Sequence, residues 1–211
     1  MSDFIEQIQR VIPQDIFTDL EVAHLVSGSR DRRYGVMKRA MASGKIINLR
    51  RGLYCFAEPY RRHPLNLFSI AQYLYPPSYM SLESALAYHG WIPESVQTTT
   101  SVAQRRSCHM NTPMGMFHYY HLQCEPFFAG VTREWAESGA YFMATPWKAV
   151  VDYVVAYKKE WRGIYPLIHS LRIDEEQLHD TTQEALAEIE VAYAQQRVRR
   201  FLKEVRKDLR L

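Results

Sequence analysis

The sequence predicts an α+β protein with three parts: an N-terminal winged helix-turn-helix over residues 1–58, a mixed α/β domain over 59–180 and a long basic C-terminal helix over 181–211. Two observations predict it. Three segments with helical spacing of apolar residues precede two short strand-like segments, which is the element order of a winged helix. Farther along, residues 96–124 alternate apolar and polar side chains as strands do, between segments of helical periodicity.

The first two helices are indicated by spacing and by capping residues. Apolar residues recur at helical spacing over about residues 2–12. Thr18 and Glu21 match a capping box, in which each side chain bonds the other residue's backbone amide, so a short second helix should follow. The stretch Ser27-Gly28-Ser29 then predicts a tight turn before a third helix, which Ser29 caps and which ends near Ser43.

A hairpin is predicted directly after the third helix. Residues 45–49 and 53–56 have the composition of strands, and Arg50-Arg51-Gly52 is typical of the turn between them. Three helices followed by a hairpin, with a short glycine-containing turn before the third helix, indicate a DNA-binding winged helix.

The third helix would present a basic face to the outside. At about 100° per residue, Val36, Met37, Ala40 and Met41 fall on the side that faces the core, and Arg32, Gly35, Arg39 and Ala42 fall opposite. We expect Arg32 and Arg39 to reach base edges, and the arginines at the rim and in the hairpin turn to reach phosphates. The predicted DNA contacts are Ser29, Arg30, Arg32, Arg33, Gly35, Arg39, Arg50 and Arg51. The alternative is a basic face that is only solvated.

The charge distribution agrees with an anionic partner, although the net charge of the 211-residue chain is only +3. Residues 28–62 hold ten Lys/Arg and two acidic residues, a net charge of +8. Residues 197–210 hold seven and two, a net charge of +5. The rest holds nine basic and nineteen acidic residues, a net charge of −10. Two basic regions on an acidic body produce an electrostatic field that the net charge of the chain does not reveal.

Composition excludes several classes of protein. A hydrophobic content of 47% argues against wholesale disorder. The chain has no apolar run of about 20 residues, so no membrane-spanning helix is expected. Its first residues lack a basic segment followed by an apolar one, so we expect no signal peptide. Three cysteines, an odd number, indicate free thiols in a reducing cytoplasm.

The middle of the chain predicts short elements around a sheet. Residues 59–68 look like a linker, and Ser81 can cap a helix that Gly90 closes. Thr112-Pro113-Met114-Gly115 should form a turn between strands. Further predicted elements are helices over 68–74, 82–89 and about 147–158, and strands over 96–103, 107–124 and 141–144.

The tail from about Thr182 to Leu211 is the longest helical pattern, with an apolar stripe that runs from Val198 to Leu209. Its other faces carry Arg197, Arg199, Arg200, Lys203, Arg206, Lys207 and Arg210. Two interpretations remain open: a docking helix with a solvated outer face, or a second surface for nucleic acid or an acidic partner.

Neither a metal site nor a catalytic site is indicated. Cys108, His109, His118, His121 and Cys124 resemble metal ligands in type, but successive side chains of a strand alternate faces, so they would not converge. The sequence has no glycine-rich phosphate loop and no nucleophile elbow. Consecutive carboxylates at 174–176 fit a helix start. We therefore expect no enzyme activity, metal or cofactor, and a nuclease is the weakest alternative.

Four segments resemble the AbiEi antitoxins of bacterial type IV toxin–antitoxin (abortive-infection) systems. The second is the most specific: Tyr79-Met80-Ser81-Leu82-Glu83-Ser84-Ala85-Leu86-Ala87-Tyr88-His89-Gly90-Trp91-Ile92-Pro93-Glu94, similar to the family's Y-I-S-L-x-S-A-L-x-x-H-G-L-I-P stretch. The others are the predicted wing at 46–54, residues 115–121 with 128–131, and 145–152, where Trp147 replaces the usual acidic residue.

The resemblance covers roughly residues 15–160 and implies a DNA-binding antitoxin. In that family the winged helix binds inverted repeats upstream of its own operon and represses it. The remainder counteracts a nucleotidyltransferase-like toxin without necessarily forming a stable complex. The DNA-binding role would fall on the arginines of the third helix and the wing. The alternatives are a protein-interaction module and an orphan transcriptional regulator without a cognate toxin.

Overall fold

The computed structural model describes residues 4–26 and 28–211 and shows a mixed α+β protein. Within that part of the chain, ten α-helices surround two β-sheets, one of three strands and one of six. The predicted α+β class and the helix near the C-terminus are confirmed. No described helix is long and apolar enough to cross a membrane.

The N-terminal segment combines three helices with the three-stranded sheet. Its elements are α1 (Phe4–Val11), β1 (Ile16–Thr18), α2 (Asp19–Leu25), α3 (Arg30–Ala42), β2 (Ile46–Arg50) and β3 (Leu53–Phe56). Strand β3 lies between β1 and β2 and pairs antiparallel with both. Strand β1 was not predicted. Residues 2 and 3 of the predicted first helix, and Ser27 of the predicted turn, lie outside the described residues.

Local capping signals in this segment act as predicted. The Thr18 hydroxyl accepts from the Glu21 amide, and the Glu21 carboxylate accepts from the Thr18 amide at 2.7 Å, which completes a capping box at the start of α2. The Ser29 hydroxyl accepts from the Arg32 amide at 3.2 Å and caps α3. Both caps satisfy backbone donors that a helix start leaves unpaired.

The small sheet contributes to two cores. One face packs under α1–α3 in a core built from Ile5, Ile8, Ile12, Phe17, Val22, Met37, Ala40, Ile46, Tyr54 and Phe56. The other face, with Ile16, Leu49, Leu53 and Cys55, belongs to the main core of the protein. Residues 57–66 link the two parts and are themselves tied down, since the Asp15 carboxylate accepts from the Arg62 amide at 3.1 Å. The N-terminal segment is therefore docked on the body.

The six-stranded sheet forms the centre of the body. Its strands are β4 (Ser78–Met80), β5 (Thr98–Ala103), β6 (Cys108–Thr112), β7 (Gly115–His121), β8 (Val131–Ala136) and β9 (Gly139–Ala144), in the order β6-β7-β5-β4-β9-β8. Strand pairs β5/β7 and β4/β9 are parallel, and the other pairs are antiparallel. The predicted turn at 112–115 is confirmed, and it divides the predicted strand 107–124 into β6 and β7.

The described part of the body has seven helices: α4 (Leu67–Leu74), α5 (Leu82–Tyr88), α6 (Pro146–Ala156), α7 (Tyr165–Ser170), α8 (Glu175–His179), α9 (Gln183–Val191) and α10 (Gln196–Leu209). Helices α4, α5 and α6 pack on the sheet, and α9 and α10 pack on α6. The prediction of one continuous tail helix from Thr182 is wrong. The chain breaks between α9 and α10, where the Ala192 carbonyl accepts from the Glu125 amide at 2.9 Å and Tyr193 is fully buried. The helical periodicity of the sequence cannot predict this long-range hydrogen bond, so it does not predict the break.

Candidate nucleic-acid interface

Helix α3 lies with its apolar side inward, as the helical-wheel prediction required. Met37 and Ala40 are buried. Arg32 and Arg39 are exposed on the far side of the helix. The order of elements therefore places a strip of arginines on the outer surface of the N-terminal segment.

A cleft opens between α2, α3 and the β2–β3 turn. It has a volume of about 510 Å³, and Arg30, Arg33, Tyr34 and Arg51 line it together with Asp19. Three cations against one carboxylate make this cleft positive. It brings together three of the predicted phosphate contacts, although Arg30 and Arg51 are 21 positions apart in the sequence.

Most guanidinium groups of this surface have no partner among the described residues. Within residues 4–26 and 28–211, no hydrogen bond or ion pair engages the side chains of Arg30, Arg32, Arg39 or Arg51. Arg33 differs, because its Nη1 donates to the Gly28 carbonyl at 2.7 Å. Exposed cations without a carboxylate partner keep their full charge available for an external anion.

The hairpin turn is held against the start of α2. The Asp19 amide donates to the Gly52 carbonyl at 3.0 Å. Gly52 has φ +76°, a left-handed conformation that favours glycine, and a Cβ there would lie 3.3 Å from the Asp19 carboxylate. Burial and the charge of Asp19 raise the pKa of Tyr54 to about 12, so this tyrosine remains neutral. Arg51 therefore lies on a turn whose backbone is held in place by α2.

Arg50 differs from the other predicted phosphate contacts, because its guanidinium is engaged by the body. Its Nε donates to the Leu74 carbonyl of the body at 3.0 Å. The pairing of β2 with β3 shifts register between Asn48 and Arg50. Such an irregularity interrupts the alternation of side chains along a strand, so Arg50 lies against the body beside buried Leu49.

Of the two smaller predicted contacts, only Ser29 has an internal explanation. Ser29 is the N-cap of α3, and its hydroxyl is already engaged by the Arg32 amide. A Cβ on Gly35 would lie 3.5 Å from Nη1 of Arg39, which is an ordinary contact, so the neighbouring side chains do not require glycine at this position.

The basic tail helix α10 is docked on the body. Val198, Phe201, Leu202 and Val205 are buried. Two of its six basic residues pair with acidic residues of the body: Arg206 with Glu190 at 2.7 Å, and Arg197 with Glu160 at 3.7 Å. Arg200 donates to Gln196 in the same helix. The exposed basic residues of α10 are Arg199, Arg200, Lys203 and Lys207, and Arg210 is exposed directly after it. The docking interpretation accounts for the inner face of α10.

A buried polar cluster in the body escaped the sequence analysis. Lys148 and Asp152, one turn apart on α6, are both fully buried with Nζ and Oδ1 3.3 Å apart. The Tyr193 hydroxyl accepts from Lys148 Nζ at 2.6 Å and donates to Asp152. Ser81 donates to the other oxygen of Asp152 at 2.6 Å. The sequence does contain a feature that indicates this cluster, because the charges of Lys148 and Asp152 interrupt the apolar run that begins at Trp147.

This cluster corrects the role predicted for Ser81. The serine occupies the N-cap position of α5, but its hydroxyl makes no capping hydrogen bond and binds Asp152 instead. The cluster is sealed from solvent, so it holds the body together and offers no substrate site.

Two of the five potential metal ligands lie side by side. Within the described residues, no group of three His, Cys, Asp or Glu side chains could hold a metal ion. His109 and His118 face each other across β6 and β7, with ring centroids 3.5 Å apart. All three cysteines are free, and burial raises the pKa of the Cys55 thiol to about 11. That cysteine is therefore not an activated nucleophile.

No protein-family model matches the sequence, and no curated protein matches it significantly.

Proposed function

We propose that the N-terminal segment is a winged helix-turn-helix that binds double-stranded DNA through α3 and the β2–β3 turn. The observation that carries the proposal is the group of exposed arginines on these two elements for which the described part of the chain offers no partner. In helix-turn-helix proteins the second helix of the motif enters the major groove, and here that helix is α3. Arg30, Arg33 and Arg51 are assigned to phosphates, and Arg32 and Arg39 to base edges.

The finer biological role that we propose is repression by an antitoxin. The protein would bind inverted repeats upstream of its own operon in the cytoplasm and counteract a nucleotidyltransferase-like toxin, as a binding protein without catalysis. The support is the resemblance of four sequence segments to AbiEi antitoxins. Two of these segments also meet in the buried cluster, since Ser81 of one contacts Asp152 of another. One buried contact therefore explains why both segments carry these residues.

DNA binding is tested by fluorescence anisotropy with a duplex from the region upstream of the gene and a scrambled duplex of equal length. Arg51→Ala should weaken binding to both duplexes. It should also make the negative slope of log K against log salt less steep by about one, because one phosphate contact is lost. Arg32→Ala should reduce discrimination between the duplexes by about 1–3 kcal/mol.

Arg50→Ala is the matched control, because it removes a neighbouring arginine that is turned toward the body. It should leave the salt slope unchanged. No binding of either duplex at low salt would refute the DNA-binding proposal and favour a protein-interaction module.

The antitoxin role is tested separately by expressing the adjacent downstream gene with and without this protein. Growth arrest that the protein relieves supports it. Sequence-specific DNA binding without any rescue would identify an orphan regulator instead.

A further inference from the structure

The cleft between α2, α3 and the β2–β3 turn has the features of a small-molecule site as well as those of a DNA contact. Its volume of about 510 Å³ lies within the range of about 300–1,000 Å³ that small-molecule sites occupy. Contacts to the phosphates of a duplex require only exposed donors on a protein surface. A concave wall that also carries apolar and aromatic side chains is typical of a site that encloses a ligand.

Three guanidinium groups line this cleft. Arg30 and Arg33 are three positions apart on α3, so they lie on the same side of the helix, and Arg51 adds a third cation from the turn. Arg33 is oriented by the Gly28 carbonyl, to which one of its terminal nitrogens donates. Guanidinium groups bind phosphate oxygens through charge-assisted and often bidentate hydrogen bonds. The cleft can therefore hold an anion with several phosphate groups.

Tyr34 adds an aromatic surface to the same cleft. It is 66% exposed, and no other described residue packs a ring on it or forms a hydrogen bond with its hydroxyl. After burial and the charge of Asp19, Tyr34 is the next group that raises the pKa of Tyr54, a wall residue from β3. The Tyr34 side chain therefore extends across the cleft toward β3. Stacking of a nucleic-acid base on such a ring is favourable and tolerates any base.

The remaining wall suits the other parts of a nucleotide. Val22 and Met37 are buried and give the cleft an apolar floor, while Leu20 is 69% exposed at its rim. Asp19 is the one acidic residue among the described residues of the wall, and its exposed carboxylate can accept from ribose hydroxyls. Cations, an exposed ring, an apolar floor and one acceptor together match the phosphates, the base and the ribose.

We propose that this cleft binds a nucleoside triphosphate, with its phosphates on Arg30, Arg33 and Arg51 and its base on the ring of Tyr34. Under the proposed function the same three arginines bind DNA phosphates, so a bound nucleotide would exclude the duplex from them. This competition rests on the proposed function, whereas the binding of the nucleotide does not. The nucleotide concentration would then set how much of the DNA is occupied.

Nucleotide binding is tested by calorimetry on the full-length protein without DNA, with ATP, GTP and inorganic tripolyphosphate as probes. ATP and GTP should bind saturably with a Kd below about 1 mM. Tripolyphosphate should bind at least about fivefold more weakly, because it has no base to stack. Arg30→Gln should weaken the binding of all three probes by about tenfold, because each loses a charge-assisted contact.

Variants of Tyr34 separate stacking from charge. Tyr34→Ala should weaken ATP binding at least about fivefold and leave tripolyphosphate binding unchanged, a pattern that a loss of folding would not produce. Tyr34→Phe retains the ring and should retain the ATP affinity. Lys38→Gln is the matched control for Arg30→Gln, because it removes a charge from an exposed position of α3 outside the cleft. It should leave all three affinities unchanged.

The competition is tested by adding ATP to the labelled duplex and the protein in the anisotropy assay. ATP should release the duplex, and simultaneous binding of both would refute the competition. If calorimetry shows no nucleotide binding while the duplex is bound, the nucleotide inference alone fails. If the nucleotide is bound and the duplex is not, the DNA-binding proposal fails and the nucleotide site stands.

Three results would overturn the nucleotide site itself. The first is no saturable binding of ATP or GTP up to about 10 mM. The second is equal affinity for ATP and tripolyphosphate, which would reduce the cleft to a general anion site. The third is an unchanged ATP affinity in both Arg30→Gln and Tyr34→Ala, which would place any bound nucleotide elsewhere on the protein.

Discussion

Replacement of Lys148 by methionine should destabilise the protein severely. The side chain is fully buried, with its Nζ 3.3 Å from Asp152 and 2.6 Å from the Tyr193 hydroxyl. Methionine fills a similar volume, so the main effect is to leave the Asp152 charge buried with only the Ser81 and Tyr193 hydroxyls as donors. Removal of one partner of a buried ion pair costs about 3–5 kcal/mol. This is a large part of the 5–15 kcal/mol that stabilises a typical domain.

The measurement is urea unfolding at pH 7, followed by the fluorescence of the four tryptophans. Asp152→Asn alone should also destabilise the protein. In that variant the ammonium group of Lys148 would retain its cation–π contact with the ring of Tyr193, whose centroid is 4.4 Å from Nζ. The double variant should lose less than the sum of the two single variants by about 2 kcal/mol, because no unpaired charge remains. Exposed Lys207→Met serves as the control and should change stability by less than about 0.5 kcal/mol. Strictly additive losses would refute the coupling between the two charges.

Two further predictions concern a glycine and a histidine. Gly130→Ala should destabilise the protein by about 2 kcal/mol more than Gly90→Ala. Both residues have positive φ, but only at Gly130 would a Cβ lie within 3.1 Å of another side chain. Equal unfolding midpoints of the two variants would contradict this. The pKa of His118, measured by NMR titration, should lie below its ordinary value of 6.5. Its contribution to stability is then complete above pH 6.5 and declines as the pH falls, since the unfolded chain binds the proton more readily. His109→Gln should raise this pKa only partly, because burial is the larger cause; a full return to 6.5 would assign the shift to His109 alone.

Local signals in the sequence predicted local structure well. The capping box at Thr18 and the cap at Ser29 depend on residues three positions apart, so sequence spacing is sufficient to find them. The inner and outer faces of α3 follow from periodicity in the same way. The predicted turn at 112–115 also needed only neighbouring residues.

Features that depend on distant contacts could not be predicted in this way. Strand β8 lies at the edge of the sheet with Trp135 exposed, so it lacks the alternation that marks a half-buried strand. The orientation of Arg50 depends on an irregular pairing with β3 and on the Leu74 carbonyl. Glu83, Thr98, Tyr120, Tyr153 and Ser170 line one cleft of the body, although five separate elements supply them and no motif connects them.

The position of Tyr193 has a consequence for how the protein is made. Its hydroxyl completes the pairing of Lys148 and Asp152, and Phe201 and Leu202 close the same core. A nascent chain that has emerged only to about residue 180 holds Lys148 and Asp152 without the Tyr193 hydroxyl that bonds both of them. The core of the body is therefore complete only after the segment that carries Tyr193, Phe201 and Leu202 has left the exit tunnel. Chains arrested on the ribosome near residue 205 should be far less resistant to protease than chains extended by a C-terminal linker long enough to span the tunnel.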